Sequence, residues 1–243
     1  MKHNSSVAPE EIEKFSRIAD EWWDPTGKFR PLHVINPLRL EFIRSHAGRS
    51  GVKSQPLAGL SLIDIGCGGG LLTEPLARMG ATVTGIDASA RNIAVASLHA
   101  EKSGVTVTYR ESTAETEAAT GVQYDIVTAL EILEHVADVD RFMIATCALV
   151  KPGGLLFLST LNRTLKSFAL AIVGAEYVLR WLPRGTHSYE KFLTPAEVAE
   201  HLRRNGMELV EQKGMVMNPL NRAWRLSDDD LSVNYLLVAR KPG

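Results

Sequence analysis

The feature that most constrains the fold of this chain is residues 60–70, LSLIDIGCGGG. A short apolar run ends there in a cluster of glycines, and the helical pattern of residues 71–80, LLTEPLARMG, follows directly. Glycines permit a sharp turn and the close approach of a ligand, and the free N–H groups at the start of a helix favour an anionic group. The segment therefore predicts the strand, loop and helix of a ligand-binding α/β fold.

The alternation of strand and helix patterns continues to the end of the chain. Strands are predicted at residues 60–66, 81–87, 105–111, 124–130, 155–162, 207–217 and 233–240, and helices at residues 71–80, 90–104, 140–150 and 194–206. Such alternation is typical of a mostly parallel sheet with helices on both faces. We expect seven strands in a single α/β domain, which suits a length of 243 residues.

The region before this alternation is expected to form a tail and a helical cap. Residues 1–8 are expected to be a loose tail, and residues 10–23 have the apolar spacing of a helix. A second helix is expected to begin at Pro37, with Asn36 as its N-cap. The predicted organisation is a tail and cap at residues 1–48 and a main domain at residues 49–243.

The composition excludes several classes of protein. The 27 basic and 28 acidic residues give a net charge of −1, which argues against nucleic acid as a partner. The two cysteines, Cys67 and Cys147, match neither a metal-binding spacing nor a disulfide framework. Residues 1–15 lack the apolar core of a signal peptide. We therefore expect a cytoplasmic protein.

The glycine loop and the next strand end indicate the class of ligand. A dinucleotide fingerprint requires a small residue at the position of Leu71, and the chain has no P-loop motif. Asp87 ends the second predicted strand, where a carboxylate can bind both hydroxyls of a ribose, although it could instead cap the following helix. NAD and S-adenosylmethionine both fit this pair of features, and the tight GxGxG form preceded by Asp64 favours S-adenosylmethionine.

Longer strings carry a specific resemblance. LIDIGCGGGLLTEPLARMGATVTGID resembles the first half of class I S-adenosylmethionine-dependent methyltransferases, which have a Rossmann-like fold. The strings PLHVINPLRLEFI, YDIVTALEILEHV, LVKPGGLLFLSTLNRT, VGAEYVLRWLPRGTH and VNYLL resemble the ubiquinone biosynthesis O-methyltransferase family in particular. The resemblance extends from about Phe15 to Leu237, which is nearly the whole chain.

The resemblance implies which residues contact the cofactor. They are Arg39, Gly66, Asp87 and Leu130, and the adenine edge is expected near Ser112, Thr113 and Ala114. The family often has methionine at the position of Leu130, and an apolar contact would survive that change. The fork of Arg39 fits the methionine carboxylate of the cofactor.

The expected chemistry is methyl transfer to a phenol, whose pKa of about 10 requires a base or a cation. The resemblance points to Glu131, Glu134 and His135 after the fourth strand, which could hold Mg²⁺ or Zn²⁺ as in eukaryotic relatives that look metal-dependent. Alternatively, His135 acts alone as the general base, with or without Glu134 in a catalytic role, or Glu134 and His135 only cap a helix. Asn162 could orient the acceptor.

Residues 166–185, KSFALAIVGAEYVLRWLPRG, lie in an insertion expected after the fifth strand, at about residues 163–192. Glu176 and Gly174 interrupt the apolar run that a membrane-spanning helix requires, so the stretch either covers the core or lies on a bilayer. Because the family's substrates carry a polyprenyl tail, we favour a membrane surface, at the inner face of the membrane. The aromatic residues Phe15, Trp22, Trp23 and Phe29 form either a lid over the site or ordinary packing of an N-terminal helix.

The resemblance implies a function in ubiquinone biosynthesis. The family methylates ring hydroxyls of a polyprenylated catechol, 2-polyprenyl-6-hydroxyphenol, and of 3-demethylubiquinol, and other enzymes of this biosynthesis are possible partners. The alternatives are a methyltransferase of the same fold acting on a small phenol or an amine, and a non-catalytic subunit that binds S-adenosylmethionine. A nicotinamide oxidoreductase is disfavoured by Leu71.

Overall fold

The computed structural model describes residues 6–49, 54–169, 189–218, 220–221 and 223–243. Within them an eight-stranded sheet has the order β3-β2-β1-β4-β5-β8-β6-β7. The strands are β1 (Ser61–Ile65), β2 (Thr82–Asp87), β3 (Thr108–Glu111), β4 (Tyr124–Leu130), β5 (Val150–Leu161), β6 (Glu208–Met217), β7 (Trp224–Ser227) and β8 (Asn234–Arg240).

Strands β1 to β5 are parallel, and β8 runs antiparallel between β5 and β6. From β1 the chain builds outward through β2 and β3, and it then returns to the other side of β1 at β4. A crevice forms at the carboxyl ends of strands where the strand order reverses in this way. The topology therefore places the candidate site beyond the ends of β1 and β4.

The seven predicted strands are all present, and β7 is one more than expected. It has only four residues and pairs only with β6, at the edge of the sheet. So short a segment has too few residues to show an alternating apolar pattern, and its pairing depends on β6 being in place.

The helices that the described residues form are α1 (Pro9–Arg17), α2 (Arg30–Ala47), α3 (Thr73–Arg78), α4 (Ala90–Ser103), α5 (Ala114–Ala119), α6 (Val139–Ala148), α7 (Leu165–Ser167) and α8 (Pro195–Arg204). Helix α8 has the predicted capping box, in which Thr194 and Glu197 bond reciprocally. Among the described residues no helix has the length and apolar character needed to cross a membrane.

The two faces of the sheet pack against different helices. One core cluster joins Phe142 of α6 and Leu202 of α8 to inward-facing strand residues such as Ile63. The other joins Phe42 of α2 and Leu76 of α3 to strand residues such as Leu62. Helix α2 is thus part of the core of the sheet, and the predicted division at residue 48 stays a prediction.

Helix α2 begins earlier than its sequence suggests. It starts at Arg30 and contains Pro37, so Asn36 is not an N-cap and instead donates a hydrogen bond from Nδ2 to the carbonyl of Leu71 at 2.9 Å. Ile35, two residues before the expected start, is buried in the core. Packing of this early turn outweighs the hydrogen bond that proline removes from the helix.

The N-terminal residues that the structure describes are more ordered than a loose tail. Val7 forms an antiparallel bridge with Val136, and Ser6 is buried. The backbone N–H of Ala137 donates to the carbonyl of Ser6 at 2.7 Å. From Ser6 onward, the segment that was expected to be a loose tail therefore packs beside the end of β4.

Candidate active site

A cavity of about 530 Å³ lies at the carboxyl ends of the strands, beneath the N-terminal segment. All four residues that the resemblance assigns to the cofactor line it, namely Arg39, Gly66, Asp87 and Leu130. The expected acid–base residues Glu131, Glu134 and His135 also line it, as do Ser112, Thr113 and Ala114. The fold therefore brings the two predicted sets of residues into one cavity.

The glycine loop has the backbone geometry that its sequence implies. Gly66 and Gly68 have φ values of +70° and +54°, which glycine adopts without the strain a side chain would bring. A Cβ atom on Gly68 would lie 2.2 Å from the ring of Trp22. Trp23 donates from Nε1 to the carbonyl of Gly69 at 2.9 Å. The N-terminal aromatic residues thus pack directly on this loop.

Asp87 is held by the backbone and by the start of α4. Its Oδ2 accepts the N–H of Gly68 at 3.0 Å, and its Oδ1 accepts the N–H of Ser89 at 2.8 Å and the Nδ2–H of Asn92 at 3.1 Å. Burial raises the pKa of Asp87 against these hydrogen bonds. Ser89, not Asp87, is the N-cap residue of α4. The carboxylate is thus fixed at the cavity wall.

Arg39 is a buried cation on α2 with unused hydrogen-bond donors. Its Nη2 lies 3.1 Å from Oε1 of Glu131, yet Nε and Nη2 have no aligned hydrogen-bond partner among the described residues. A buried guanidinium without aligned acceptors is costly and is suited to a carboxylate that enters the cavity. This arrangement fits the expected contact with the carboxylate of the cofactor.

Glu131 is held by side chains of β5 and β8 and pairs with Arg39 of α2. It is the one residue other than glycine with a positive φ among the described residues, at +54°. Its carboxylate accepts from Ser159 Oγ at 2.7 Å and from Asn234 Nδ2, which lies 3.1 Å from both oxygens. A backbone strained in this way persists where the surroundings hold it, and it often marks a functional site. Glu131 is therefore a pre-oriented carboxylate beside the end of β4.

Glu134 and His135 follow in a short 3₁₀ turn but have different surroundings. Glu134 is buried and accepts from Thr160 Oγ1 at 2.8 Å, and its burial, together with the charge of Glu131, raises its pKa. His135 reaches the N-terminal segment, where its Nδ1 lies 3.0 Å from Oε2 of Glu11. The two side chains therefore contact different parts of the chain.

The expected metal site does not form from these residues. Glu131 is held by Asn234 and Ser159, Glu134 by Thr160, and His135 by Glu11, so the three side chains reach different partners. Among the described residues no group of three or more His, Cys, Asp or Glu side chains could hold a metal ion. The reason is that a 3₁₀ turn follows β4, whereas a shared face for the three positions requires an α-helical turn.

The remaining expectations have different outcomes. Asn162 donates from Nδ2 to the carbonyl of Leu231 at 2.8 Å and stabilises a loop, which does not support a role in orienting the acceptor. Thr113 caps α5 through its side chain. Sequence reasoning missed Glu11 and Asn234 as site residues. Asn234 lies in the VNYLL string, whereas Glu11 lies in an ordinary amphipathic pattern with no signal of its own.

Comparison with known proteins gives the family. A family model described as a methyltransferase domain matches residues 13–212. The ubiquinone biosynthesis O-methyltransferase of Dinoroseobacter shibae is 54% identical over 99% of this chain and 98% of its own length. The protein of that name from Sinorhizobium medicae is also 54% identical, over 98% and 97% of the two chains.

The chain belongs to the ubiquinone biosynthesis O-methyltransferases. Solved structures show the same fold at lower identity. A magnesium protoporphyrin IX methyltransferase from Synechocystis, solved with bound SAH, is 20% identical with a TM-score of 0.63 and covers 95% of this chain and 87% of its own. A possible histamine N-methyltransferase from Thermotoga maritima is 17% identical with a TM-score of 0.63, covering 96% of this chain and 100% of its own. The predicted fold class and family are confirmed.

Proposed function

We propose that this ubiquinone biosynthesis O-methyltransferase moves a methyl group from S-adenosylmethionine to ring hydroxyls of a polyprenylated catechol and of 3-demethylubiquinol. The observation that carries the proposal is the shared cavity. Asp87 and Arg39, which suit the two polar ends of the cofactor, open into the same space as Glu131 and His135. Both acceptors present a ring hydroxyl beside the same tail, so one site can serve both methylations.

The first half of the cavity binds and orients the methyl donor. Asp87 accepts from the ribose hydroxyls, and the turn at Gly66 lets the backbone approach the cofactor closely. Arg39 has donors without an aligned hydrogen-bond partner that suit the carboxylate, and Leu130 gives an apolar contact at the end of β4. S-adenosylmethionine, when bound, supplies a methyl carbon whose bond to sulfur breaks as the bond to oxygen forms.

The second half of the cavity orients the acceptor and takes the proton from its hydroxyl. A phenol with a pKa of about 10 is mostly protonated near pH 7, so its oxygen becomes a good nucleophile only as the proton leaves. His135 lines the cavity and takes that proton, since a neutral imidazole has one nitrogen that accepts a proton. Glu131, fixed by Ser159 and Asn234, orients the ring through its hydroxyls.

The polyprenyl tail and the membrane surface form the second part of the proposal. Leu165 and Phe168, at the start of the insertion, are 83% and 42% exposed, and Lys166 lines the cavity beside them. Exposed apolar side chains next to a cation suit the interface of a bilayer. Residues 170–188, which include most of the proposed membrane-facing stretch, lie outside the described residues.

The test is methyl transfer to a prenylated catechol on anionic liposomes, with labelled S-adenosylmethionine, in the presence of Mg²⁺ or of a chelator. We expect turnover under both conditions and its loss in His135→Ala with SAH binding retained. Loss of turnover under chelator would overturn the assignment of His135 as the sole proton acceptor. Absence of turnover by the unaltered chain, with SAH still bound, would overturn the choice of acceptor.

A matched pair of acceptors tests the membrane part. A catechol with a long prenyl tail on liposomes should be methylated faster than the same ring with a short tail in solution. Leu165→Ser should reduce the difference in rate between the long-tailed and short-tailed acceptors, because it removes an exposed apolar side chain at the start of the insertion. Equal rates for the two acceptors would contradict the membrane proposal and favour a small phenol as substrate.

A further inference from the structure

The surroundings of His135 come largely from the N-terminal segment. Glu11 of α1 places Oε2 at 3.0 Å from Nδ1 of His135. Phe15, one turn further along α1, packs edge-on against the imidazole, with ring centroids 5.1 Å apart. The bridge between Val7 and Val136 fixes the chain on the C-terminal side of the histidine. Segments more than a hundred positions apart therefore meet at this imidazole.

Glu11 is well placed to act on the imidazole. Its side chain is 17% exposed and lines the cavity, whereas Glu13 on the same helix is 66% exposed and pairs with Arg17. Burial acts to raise the pKa of Glu11, but the hydrogen bond with His135 and the charges of His135 and Lys14 hold it below its usual value. Glu11 is therefore a carboxylate at neutral pH, and a carboxylate can only accept a hydrogen bond.

We propose that Glu11 is a positioning residue for His135, an inference that rests on the proton-accepting role proposed above. Its carboxylate accepts the Nδ1–H of the imidazole and so selects the tautomer with the lone pair on Nε2. A carboxylate that holds a catalytic imidazole in one tautomer and orientation is a recurring device in enzymes. The proton acceptor is complete only when α1 is docked, because one of its two parts comes from that helix.

The test compares Glu11→Ala and Glu11→Gln with Glu13→Ala as the matched control on the solvent side of α1. Glu11→Ala is expected to lower kcat by about 10- to 100-fold, with the KM for S-adenosylmethionine and the Kd for SAH within about twofold of the unaltered chain. Glu11→Gln should restore part of the rate, because its amide oxygen accepts the same hydrogen bond. Glu13→Ala should behave like the unaltered chain.

A spectroscopic readout separates positioning from a structural role. The ¹⁵N shifts of the His135 ring, assigned by their loss in His135→Ala, should show a protonated Nδ1 in the unaltered chain and in Glu11→Gln. In Glu11→Ala they should move toward a mixture of tautomers. If Glu11→Ala is unstable, Glu11→Leu takes its place, because leucine keeps most of the side-chain volume but cannot accept a hydrogen bond, and the same fall in kcat and the same mixture of tautomers are expected.

Two outcomes would overturn the inference: a kcat for Glu11→Ala equal to that of Glu13→Ala, or ring shifts of His135 that do not respond to Glu11. Failure of the proposed function is seen separately. If His135→Ala keeps its turnover, the proton acceptor is another group, whatever Glu11 does. If His135→Ala is inactive while Glu11→Ala is fully active, only the positioning role is wrong.

Discussion

Asp87 and Glu131 are two carboxylates at the same edge of the sheet, and they are held in different ways. Asp87 ends β2 and receives its hydrogen bonds from Gly68, Ser89 and Asn92, which all lie in the continuous stretch of chain from β1 to α4. Glu131 follows β4 and receives its hydrogen bonds from Ser159 of β5 and from Asn234 of β8, while Arg39 of α2 forms an ion pair.

The difference separates a cofactor half of the cavity from an acceptor half. In the proposed cofactor half, Gly66 and Asp87 come from neighbouring stretches of chain, so their geometry is encoded locally by glycines and a strand-end acid, whereas Arg39 and Leu130 are brought there by α2 and β4. The acceptor half is assembled from elements that are far apart in sequence, and the strained backbone of Glu131 depends on all of them. We therefore expect mutations in the two halves to have separable effects on cofactor binding and on turnover.

The largest expected effect comes from Asp87→Ala. It removes the acceptor of the ribose hydroxyls, and hydrogen bonds to a charged group are worth about 1.5–3 kcal/mol each. The Kd for SAH, measured by calorimetry, should rise by about 1000-fold. The Kd for SAH of Asp87→Asn should lie between those of the unaltered chain and of Asp87→Ala, because the amide keeps one oxygen. An SAH affinity within about threefold of the unaltered chain would place the ribose elsewhere.

Glu131→Gln should produce the opposite pattern. The change keeps the shape of the side chain but removes the charge that orients the acceptor, so kcat should fall by about 100-fold with little change in the Kd for SAH. Asn234→Ala should give a smaller loss of kcat, because Ser159 still holds the carboxylate. If Glu131→Gln weakened SAH binding as strongly as Asp87→Ala, the division into two halves would not stand.

Gly68→Ala tests the contact between the cofactor half and the N-terminal segment. The new Cβ would lie 2.2 Å from the ring of Trp22, at a φ of +54° that alanine tolerates poorly. We expect about 30-fold weaker SAH binding, with a change in tryptophan fluorescence. Gly121→Ala is the matched control, since its φ is also positive at +76° but no atom lies within 4 Å of the new Cβ. Equal effects of the two changes would assign the loss to backbone strain alone.

The smallest effect concerns Asp64, which joins the two halves. It lies buried in β1 and accepts from Thr73 Oγ1 and from Thr128 Oγ1 of β4, at 2.7 Å each. Burial raises its pKa to about 6, above the value of about 3.9 expected in the unfolded chain. The folded state therefore binds this proton more tightly, so the ionised form of Asp64 costs stability as the pH rises from about 4 to about 6.

Asp64→Asn removes that titration. The unaltered chain should lose stability between pH 5 and pH 7 as Asp64 ionises, whereas the variant should not. The difference in the free energy of unfolding between variant and unaltered chain should therefore be about 1 kcal/mol more favourable to the variant at pH 7 than at pH 5. Urea unfolding at the two pH values measures the shift. A constant difference across this range would mean that Asp64 has the same pKa in the folded and unfolded chains.

The sequence predicted more of the cofactor half than of the acceptor half. Gly66 and Asp87 could be identified from the glycine loop and the strand end, because the physical requirements for a tight turn and a ribose contact are local. The position of Leu130 followed from the resemblance. The metal prediction is not supported by the described residues, because it assumed an α-helical turn after β4, and local sequence does not separate this from the 3₁₀ turn that forms.

The sequence by itself determined the alternation of strands and helices, the glycine loop and the family, since each depends on neighbouring residues or on motifs within short strings. The tertiary structure alone decided which side chains form hydrogen bonds to Glu131 and His135 in the site. Asn234 reaches Glu131 because β8 inserts beside β5, and Glu11 reaches His135 because the N-terminal segment docks at the end of β4. Contacts between distant segments depend on the packing of the whole chain, which no local pattern specifies.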